Sequence, residues 1–498
     1  MVLEQETTVL IIGGGPCGLL MALLLARKGV PCVVCEKSES ISLHPKAMNI
    51  ARRTAEICRE LGLYDKMLAA DFSTPETQSM IWSHSWTGEE YGRAPLPDGQ
   101  SDRSPCRPFH CPQTITESVL LEALVAEPLA TVLFQHFVKS FDASEHAVHA
   151  EVVTPDGELK IRAEWLVAAD GAASGVRRKL PIAAEGPGDL GHFLNVFFHA
   201  DPRQAVRGNE TILRNVLRQD LIEFFVSVNG RDLWLMHHFL QPGEVAGDFT
   251  TARLSGLIQS AAEVPGMRVE ILSVGQWVMS PNVAVEFQRG RVFLVGDAAA
   301  RLSPAGGLGM NMGIQSAHNL AWKLAEVIHG RASERLLETY HRERHDASSE
   351  AMRAANANSG EVFQEADLAL KGDFEGLRAR ISASHRQTEQ LPFEAKGLLR
   401  IPHAWLTQSG RRISSLDLCG DKYLILAGID APLAEVAFAR VVALGTSDFE
   451  DPTGLEKLGL GPTDAMLVRP DGVVAWRSNS GATDHTVRAA YERAQKGS

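Results

Sequence analysis

An α/β fold built from several domains is what the sequence predicts, and three observations predict it. Apolar runs of strand length end in Gly13-Gly14-Gly15, in Asp170-Gly171 and in Gly296-Asp297, and helix-like spacing follows each, as in a Rossmann-type unit. Between Leu180 and Trp277 the pattern changes to the period-two alternation of half-buried strands. From about Pro402 a third group of strand-like runs begins. At 498 residues the chain exceeds one hydrophobic core, so two or three domains are expected. The boundaries expected are a discontinuous nucleotide-binding domain over 1–180 and 278–395, an inserted β-sheet domain over 71–110 and 181–277, and a C-terminal unit over 400–498.

The first strand, Thr8 to Ile12, runs into G-x-G-x-x-G at Gly13, Gly15 and Gly18. The first glycine makes the turn, the second admits a pyrophosphate, and the third lets helix and sheet pack closely. The helix from Pro16 to Lys28 ends at Gly29, which serves as its C-cap. Strand two, Cys32 to Glu36, places an acid eighteen residues beyond the last glycine, where it can accept a hydrogen bond from a ribose 2′-hydroxyl. A carboxylate there disfavours a 2′-phosphate, so FAD or NAD is expected at this site rather than NADP.

Residues 45–63 are expected to form a helix with an apolar stripe and a basic face. Residues 71–112, rich in Pro, Ser and Trp with prolines at 95, 97, 105, 108 and 112, are expected to be irregular excursions over another domain. Pro112-Gln113 leads into a helix from about Ile115 to Ala126. Val132 to Ser140 and Val148 to Val153 alternate like strands, and Pro155-Asp156-Gly157 is a turn. Trp165 to Ala169 is a buried strand that ends in Asp170-Gly171, with a short helix after it carrying Ser174 and Arg177.

In the alternating region, Leu221 to Val228 and Leu233 to Leu240 flank Asn229-Gly230, a strong hairpin signal. His237 and His238 face opposite sides of their strand, so one of them reaches a pocket; a lone strand histidine is more often a structural residue. Residues 292–295 then form a strand, the loop after Asp297 has glycines at 306, 307 and 309, and Ile314, Ala317, Leu320, Ala321 and Leu324 recur at helical spacing. Strand, acid, glycine loop and helix start together make a site for a polar ligand on oriented N–H groups. Charged helices follow to about Arg386. In the third unit Asp421 to Gly428, Ala439 to Gly445 and Ala465 to Arg477 read as strands, the last a hairpin.

A formal charge of −12 argues against nucleic acid, which needs clustered Lys and Arg. No apolar run approaches membrane-spanning length; the longest near the start, Leu19 to Ala26, lies inside a helix pattern. The absence of a basic leader or cleavage pattern gives a cytoplasmic expectation. The seven cysteines, at 17, 32, 35, 58, 106, 111 and 419, form no disulfide framework. Cys32-Val-Val-Cys35 has redox-pair spacing but sits on a strand, which makes two buried core residues the better reading. Cys106 and Cys111 have no second ligand pair, so no metal site is expected.

In this order, Gly13-x-Gly15-x-x-Gly18 with Glu36, Asp170-Gly171-x-x-Ser174-x-Val176-Arg177, and Gly296-Asp297 with Pro304-x-Gly306 resemble the class A flavoprotein aromatic hydroxylases over roughly residues 5–350. The resemblance, to the para-hydroxybenzoate hydroxylase and phenol hydroxylase fold, implies a glutathione reductase-like FAD-binding domain and an inserted substrate domain. It implies FAD contacts at Gly13, Gly15, Pro16 and Gly18, at Glu36 and Lys37, and at Lys46. Gln113 looks like the family's flavin-contacting glutamine, and Val138 is given backbone contacts to adenine. Asp170 would serve the pyrophosphate region and the NAD(P)H approach, and Asp297 the ribityl chain. Pro304, Gly306, Gly307, Gly309, Met310 and Asn311 look like the loop along the isoalloxazine. Departures are Lys46 for the usual Arg, which loses a forked phosphate grip, Ala300 for the usual His, and Ser316 for an expected Asp. The third unit resembles the thioredoxin-like tail of phenol and polyketide hydroxylases. Lacking C-x-x-C, it has no dithiol chemistry, and packing or assembly, including a homo-oligomer, is its default role.

By the same resemblance, hydride from transiently docked NAD(P)H reduces FAD, O₂ adds to give a C4a-hydroperoxide, and an electron-rich ring is hydroxylated, with a natural-product phenol as one such substrate. Ionising a phenol of pKa near ~10 at neutral pH costs about 4 kcal/mol, and His238, His237 and Arg214 are the candidates to offset it. Phe225, Trp234, Phe239 and Pro304 are candidates for an apolar lining that keeps out water. Two alternatives stand beside the hydroxylase: a halogenase or reductase on the same fold, the halogenase disfavoured by the lack of Trp-x-Trp-x-Ile-Pro, and a redox-silent flavin-binding assembly protein.

Overall fold

The computed structural model describes residues 3–74, 77–96, 102–383, 398–446, 449, 453–478 and 481–497. Pro97 and Arg386, named above, lie outside the described residues, as do the last residues of the 278–395 segment.

Val9, Leu10 and Ile11 are buried in succession, so the inner end of the strand Leu3–Ile12 has no solvent face and takes the middle of a sheet. It pairs in parallel with Cys32–Cys35, which pairs with Ala130–Leu133, and on the other side with Gly157–Ala168, which pairs with Val292–Leu294. Gln288–Arg289 closes that edge antiparallel, and the antiparallel strands Phe137–Ala143 and Val148–Thr154 lead into Gly157–Ala168. Helix α1 (Pro16–Arg27) carries an unbroken buried run from Leu19 to Ala26 and is enclosed on all sides.

Helix α2 covers only Arg52–Glu60. The single helix expected over 45–63 does not form, because Asn49–Ile50 is extended and pairs with Phe109–His110. Arg53 of α2 is buried and donates to the Asp471 carbonyl. After α3 (Tyr64–Leu68), the stretch expected to be irregular contains a hairpin, Ser79–Ser83 with Glu90–Pro95. Helix α4 (Gln113–Val125) follows. The strand expected over Val132–Ser140 is broken at Gln135, whose φ of 59° turns the chain so that Gln135 and His136 donate to the carbonyls of Ser38 and Glu36.

Beyond α5 (Gly175–Lys179) a seven-stranded sheet runs in the order Glu270–Met279, Gly191–His199, Leu233–Phe239, Ile222–Ser227, Leu213–Leu217, Ser79–Ser83, Glu90–Pro95. A helix not foreseen in this region, α6 (Thr251–Ala262), covers one face with Leu254, Ile258, Ala261 and Ala262. Its Thr250 caps it by accepting from the Arg253 N–H, which identifies a helix start within the strand-rich stretch.

Helix α7 (Gly309–Ile328) packs beside α1, and α8 (Arg335–Leu370) runs from the C-terminal unit to the seven-stranded sheet, where Glu365 accepts from the Trp82 indole at 2.7 Å. Helix α9 (Phe374–Ala383) buries Leu377 and Ile381 beside Trp82. The last unit has a hairpin, Trp405–Gln408 with Arg411–Ser414, and a four-stranded sheet in the order Ala439–Ala443, Tyr423–Ala427, Ala465–Val468, Val474–Arg477. Helices α10 (Thr453–Leu458) and α11 (Asp484–Gln495) complete it. One face of that sheet shares a core with Trp322 of α7 and Leu336 of α8. Among the described residues no helix is long and apolar enough to cross a membrane.

Candidate functional site

Parallel register decides where the motifs meet. Ile12 lies opposite both Cys35 and Ala168, and Ala168 opposite Leu294, so Gly13, Glu36, Asp170 and Gly296 emerge side by side at the carboxyl ends of four strands. That edge is where open parallel sheets bind ligands. Gly13 has φ +108° and a Cβ there would stand 2.3 Å from the Ala169 carbonyl, while one on Gly18 would stand 1.9 Å from that of Gly13. Nothing lies within 4 Å of a Cβ on Gly15, so open space faces the start of α1, which has no side-chain cap. The Glu36 carboxylate accepts from the Gly14 and Ser38 amides at 2.7 and 2.8 Å. Burial alone would raise its pKa; those two donors outweigh it and hold the group below its ordinary value. Asp170 accepts from the Val176 amide at 3.2 Å and leaves Oδ1 buried without a partner. Arg177 donates to the Ala298 carbonyl at 2.9 Å and so ties the second motif to the third.

Asp297 is deep in the molecule yet open. Burial raises its pKa, against the pull of Arg301 and Lys46, while its own surface is uncovered. A group both deep and uncovered lines a cleft. The loop after it is pinned by Asn311, whose amide donates to Asn49 and Gly307 and accepts from the Ala51 N–H, all within 2.7–2.8 Å. Helix α7 then starts uncapped, with nothing within 4 Å of a Cβ on Gly309. Gln113 donates to Glu117 at 2.7 Å, and Glu117 accepts from the Ser42 amide at 2.8 Å, which fixes the segment leading to Lys46.

The seven-stranded sheet turns one face to this cleft. Directly paired residues share a face. On the face away from α6, His237 pairs with Asn195, Phe239 with Phe193, and Phe193 with Trp277, the last two rings stacked at 4.7 Å. His44 approaches the same face, its Nδ1 2.7 Å from Ser273 Oγ, and Phe363 of α8 stands 6.3 Å from Phe239. The loop joins in through Ser303, hydrogen-bonded to Ser359 of α8, and through Ala305, which accepts from Asn358. Burial, with His44 nearby, pushes His237 down to about 4.

Residues 6–355 match the family model described as an FAD binding domain, and residues 397–495 the one described as aromatic-ring hydroxylase, C-terminal. The chain belongs to the FAD-dependent aromatic hydroxylases. It is 32% identical to tetracenomycin A2 monooxygenase-dioxygenase of Streptomyces glaucescens, over 98% of this chain and 97% of that one. The crystal structure of the flavin-dependent monooxygenase PieE with FAD and substrate superposes with a TM-score of 0.87 at 25% identity, covering 99% of each chain. A ternary complex of aklavinone-11 hydroxylase with FAD and aklavinone gives 0.85 at 28%, again over 99% of each.

The residues of this hydroxylase fit FAD. Space in front of Gly15, the free Oδ1 of Asp170, the open Asp297 carboxyl and the uncapped start of α7 border one cleft and want a polar partner. Pro16 opens α1, Pro304 and the exposed Lys46 stand at the surface of the loop region, and Gly306, Gly307 and Met310 are half-buried there. Lys37 is exposed beside Glu36, and Val138 lies two residues past His136, paired with Val152. Asn311 departs from expectation, because its side chain ties the loop to residues 49–51 and is not turned to a ligand.

Four expectations for the substrate side are corrected by strand parity. Phe225 and Trp234 pack with Trp86 in the core under α6, on the opposite face from His237. His238 is on that face too, bonded to Glu223 at 2.7 Å, which holds the imidazole above its ordinary pKa although burial opposes it. Arg214 pairs with Phe225, so it also points away from the cleft, and donates to the Asn209 carbonyl at 2.6 Å. Phe239 and His237 lie on the face turned to the cleft. Sequence reading missed Phe193, Asn195, Trp277, His44 and Phe363. The alternation Phe193-x-Asn195-x-Phe197 could have found the first two; His44 and Phe363 come from distant segments and carry no local signal.

Proposed function

We propose that this hydroxylase consumes NAD(P)H and O₂ to insert one oxygen atom into a phenolic or otherwise hydroxylated polycyclic aromatic compound in natural-product biosynthesis. The observation that carries this reading is the sheet face of Phe193, Trp277, Phe239 and His237, linked to the glycine loop by α8, which meets Phe239 through Phe363 and the loop through Asn358 and Ser359. The names of the relatives, which include tetracenomycin and aklavinone enzymes, support a fused-ring substrate. The redox chemistry, hydride uptake from the nicotinamide and transfer of one oxygen atom from O₂, comes from FAD when bound.

The chain holds and screens that chemistry. Gly13, Gly15, Pro16 and Gly18 would admit the pyrophosphate, Glu36 would accept from a ribose hydroxyl, Asp170 would serve the pyrophosphate region and the NAD(P)H approach, and Asp297 would accept from the ribityl chain. Gln113 and the 304–310 loop border the ring system, with N–H groups of the α7 start turned to negative charge. The aromatic face excludes water from the reacting centre. The three-way division into an FAD domain, an inserted substrate domain and a C-terminal unit agrees with the separate cores. A thioredoxin-like architecture for the last unit is supported by its parallel pair Tyr423–Ala427 and Ala439–Ala443, the antiparallel strands beside it and the closing α11.

The test is aerobic NAD(P)H oxidation by the FAD-loaded protein over a panel of hydroxylated naphthalenes and anthraquinones. The expected result is substrate-stimulated oxidation with a product one oxygen atom heavier. Oxidation without any oxygenated product from the whole panel rejects the reading.

A further inference from the structure

Asn195 and His237 lie directly opposite each other on antiparallel neighbours, so their side chains rise together from the cleft face. On the other flank of Asn195 the register places Gly275, and the imidazole of His44 occupies the room this glycine leaves, its Nε2 3.9 Å from where a Cβ would be. Ser273 holds the other nitrogen of that ring. Among the described residues three polar atoms in a row are buried without a partner: His44 Nε2, Asn195 Oδ1 and His237 Nδ1. An unpaired buried polar group is costly, so such a row points to something that binds it. Unpaired atoms also occur on the other face, at Arg214 and Trp234, but both residues are buried there, Trp234 in the core under α6; His237 is only half-buried and borders the cleft.

The sheet positions of the row carry no charge, and Lys46, the cation felt at His44, is itself exposed. From Phe193 to Phe197, Leu235 to Phe239 and Ser273 to Trp277, no position on this face is Lys, Arg, Asp or Glu. Burial lowers the pKa of both imidazoles, with Lys46 adding to the effect at His44, so each ring is neutral at pH 7 and offers one N–H and one lone pair. Neutral donors and acceptors pair with hydroxyl and carbonyl oxygens; a buried carboxylate would need a cation. Cross-strand neighbours stand about 5 Å apart, which suits separate oxygens along the edge of a fused ring system better than the two oxygens of one carboxylate.

We propose that His44, Asn195 and His237 form an uncharged oxygen-recognition row that selects substrates with two or more neutral oxygens on one polycyclic edge over carboxylate-bearing aromatics. The inference rests on the hydroxylase reading above. It makes His237 and His44 specificity residues, with Ser273 the positioning residue for His44.

Calorimetric titration of the FAD-loaded protein with a peri-dihydroxyanthraquinone, its dimethyl ether and an anthraquinone carboxylate tests it. The dihydroxy compound is expected to bind about tenfold tighter than either of the others. His237→Phe should remove that preference, leave affinity for the ether within about twofold and leave FAD content unchanged; His237→Gln, which keeps a hydrogen-bonding group, should restore part of it. Equal binding of ether and dihydroxy compound by the unmodified protein, preference for the carboxylate, no binding of any probe, or equal loss for both ligands in His237→Phe overturns the proposal. A protein that holds FAD and hydroxylates the panel but gives one of these results sinks the recognition row alone, whereas failure to hydroxylate at all sinks the broader reading.

Discussion

The two halves of α7 are treated in opposite ways. Its first turn, at Gly309, is uncapped and looks into open space beside Asp297, a deep carboxyl that no protein group covers. Three turns on, Lys323 is fully buried and bonded to Asn319 and Glu343 at 2.9 Å each. Arg469 of the C-terminal unit grips Glu343 at 2.7 and 2.9 Å and Asp471 at 2.9 Å, and Asp471 also receives Asn319. Every charge in that second cluster is answered by another. The contrast separates two uses of buried polarity: a closed set fixes the frame, and an open set waits for a ligand. It also makes the C-terminal unit part of the frame, since its Arg469 pairs with Glu343 of α8.

Breaking the closed set should have the largest effect. Arg469→Met leaves Glu343 and Asp471 with one cation too few, and loss of one partner from a buried pair typically costs about 3–5 kcal/mol. Denaturant unfolding of the flavin-free protein should show that loss. Burial opposes ionisation of Glu343, but Lys323 and Arg469 outweigh it and hold its carboxyl well below the usual range. A depressed carboxyl contributes stability that is complete above its unfolded pKa and is lost as pH falls through the folded one. The gap between wild type and Arg469→Met should therefore narrow below roughly pH 4. A gap that stays constant from neutral to acid pH would mean that charge is not what the arginine provides.

The open set can be probed with two glycines of one motif. Alanine at Gly18 would put a Cβ 1.9 Å from the Gly13 carbonyl, so Gly18→Ala should lower the unfolding midpoint whether or not FAD is present. Gly15 has a β-region backbone that alanine adopts freely, and its Cβ would meet no protein atom. Gly15→Ala should fold as wild type does and bind FAD about tenfold or more weakly, read by flavin fluorescence. Equal effects on folding from both changes would erase the distinction between frame and cleft at this turn.

How much of this was legible depended on whether the signal was local. The G-x-G-x-x-G turn, Glu36, Asp170-Gly171 and Gly296-Asp297 each announce themselves within a few residues, and parallel register does the rest by bringing strand ends together. Strand parity was also readable at His237 and His238. Which face meets the flavin was not, because α6, the element that closes the other face, had gone unrecognised between the strands. The helix expected over 45–63 failed for a related reason: Asn49–Ile50 is held extended by Phe109–His110, some sixty residues away. The closed cluster joins Lys323 of α7 and Glu343 of α8 to Arg469 and Asp471, and nothing near the first two names the last two.

Asp297 gives the subtlest test, because the comparison predicts that its loss helps the empty protein while harming the loaded one. Burial raises its pKa in the folded chain. A raised carboxyl works against folding where the unfolded chain is ionised, above roughly pH 4, and has no such effect below it. Asp297→Asn removes that opposition, so the flavin-free variant should be at least as stable as wild type at pH 7, with the difference vanishing in acid. The same change removes an acceptor from the cleft, and FAD affinity should fall by about tenfold, the usual scale for one charge-assisted hydrogen bond. If instead Asp297→Asn destabilises the flavin-free protein, the carboxylate has a partner within the chain's own frame, and the first half of α7 belongs to the closed set as well.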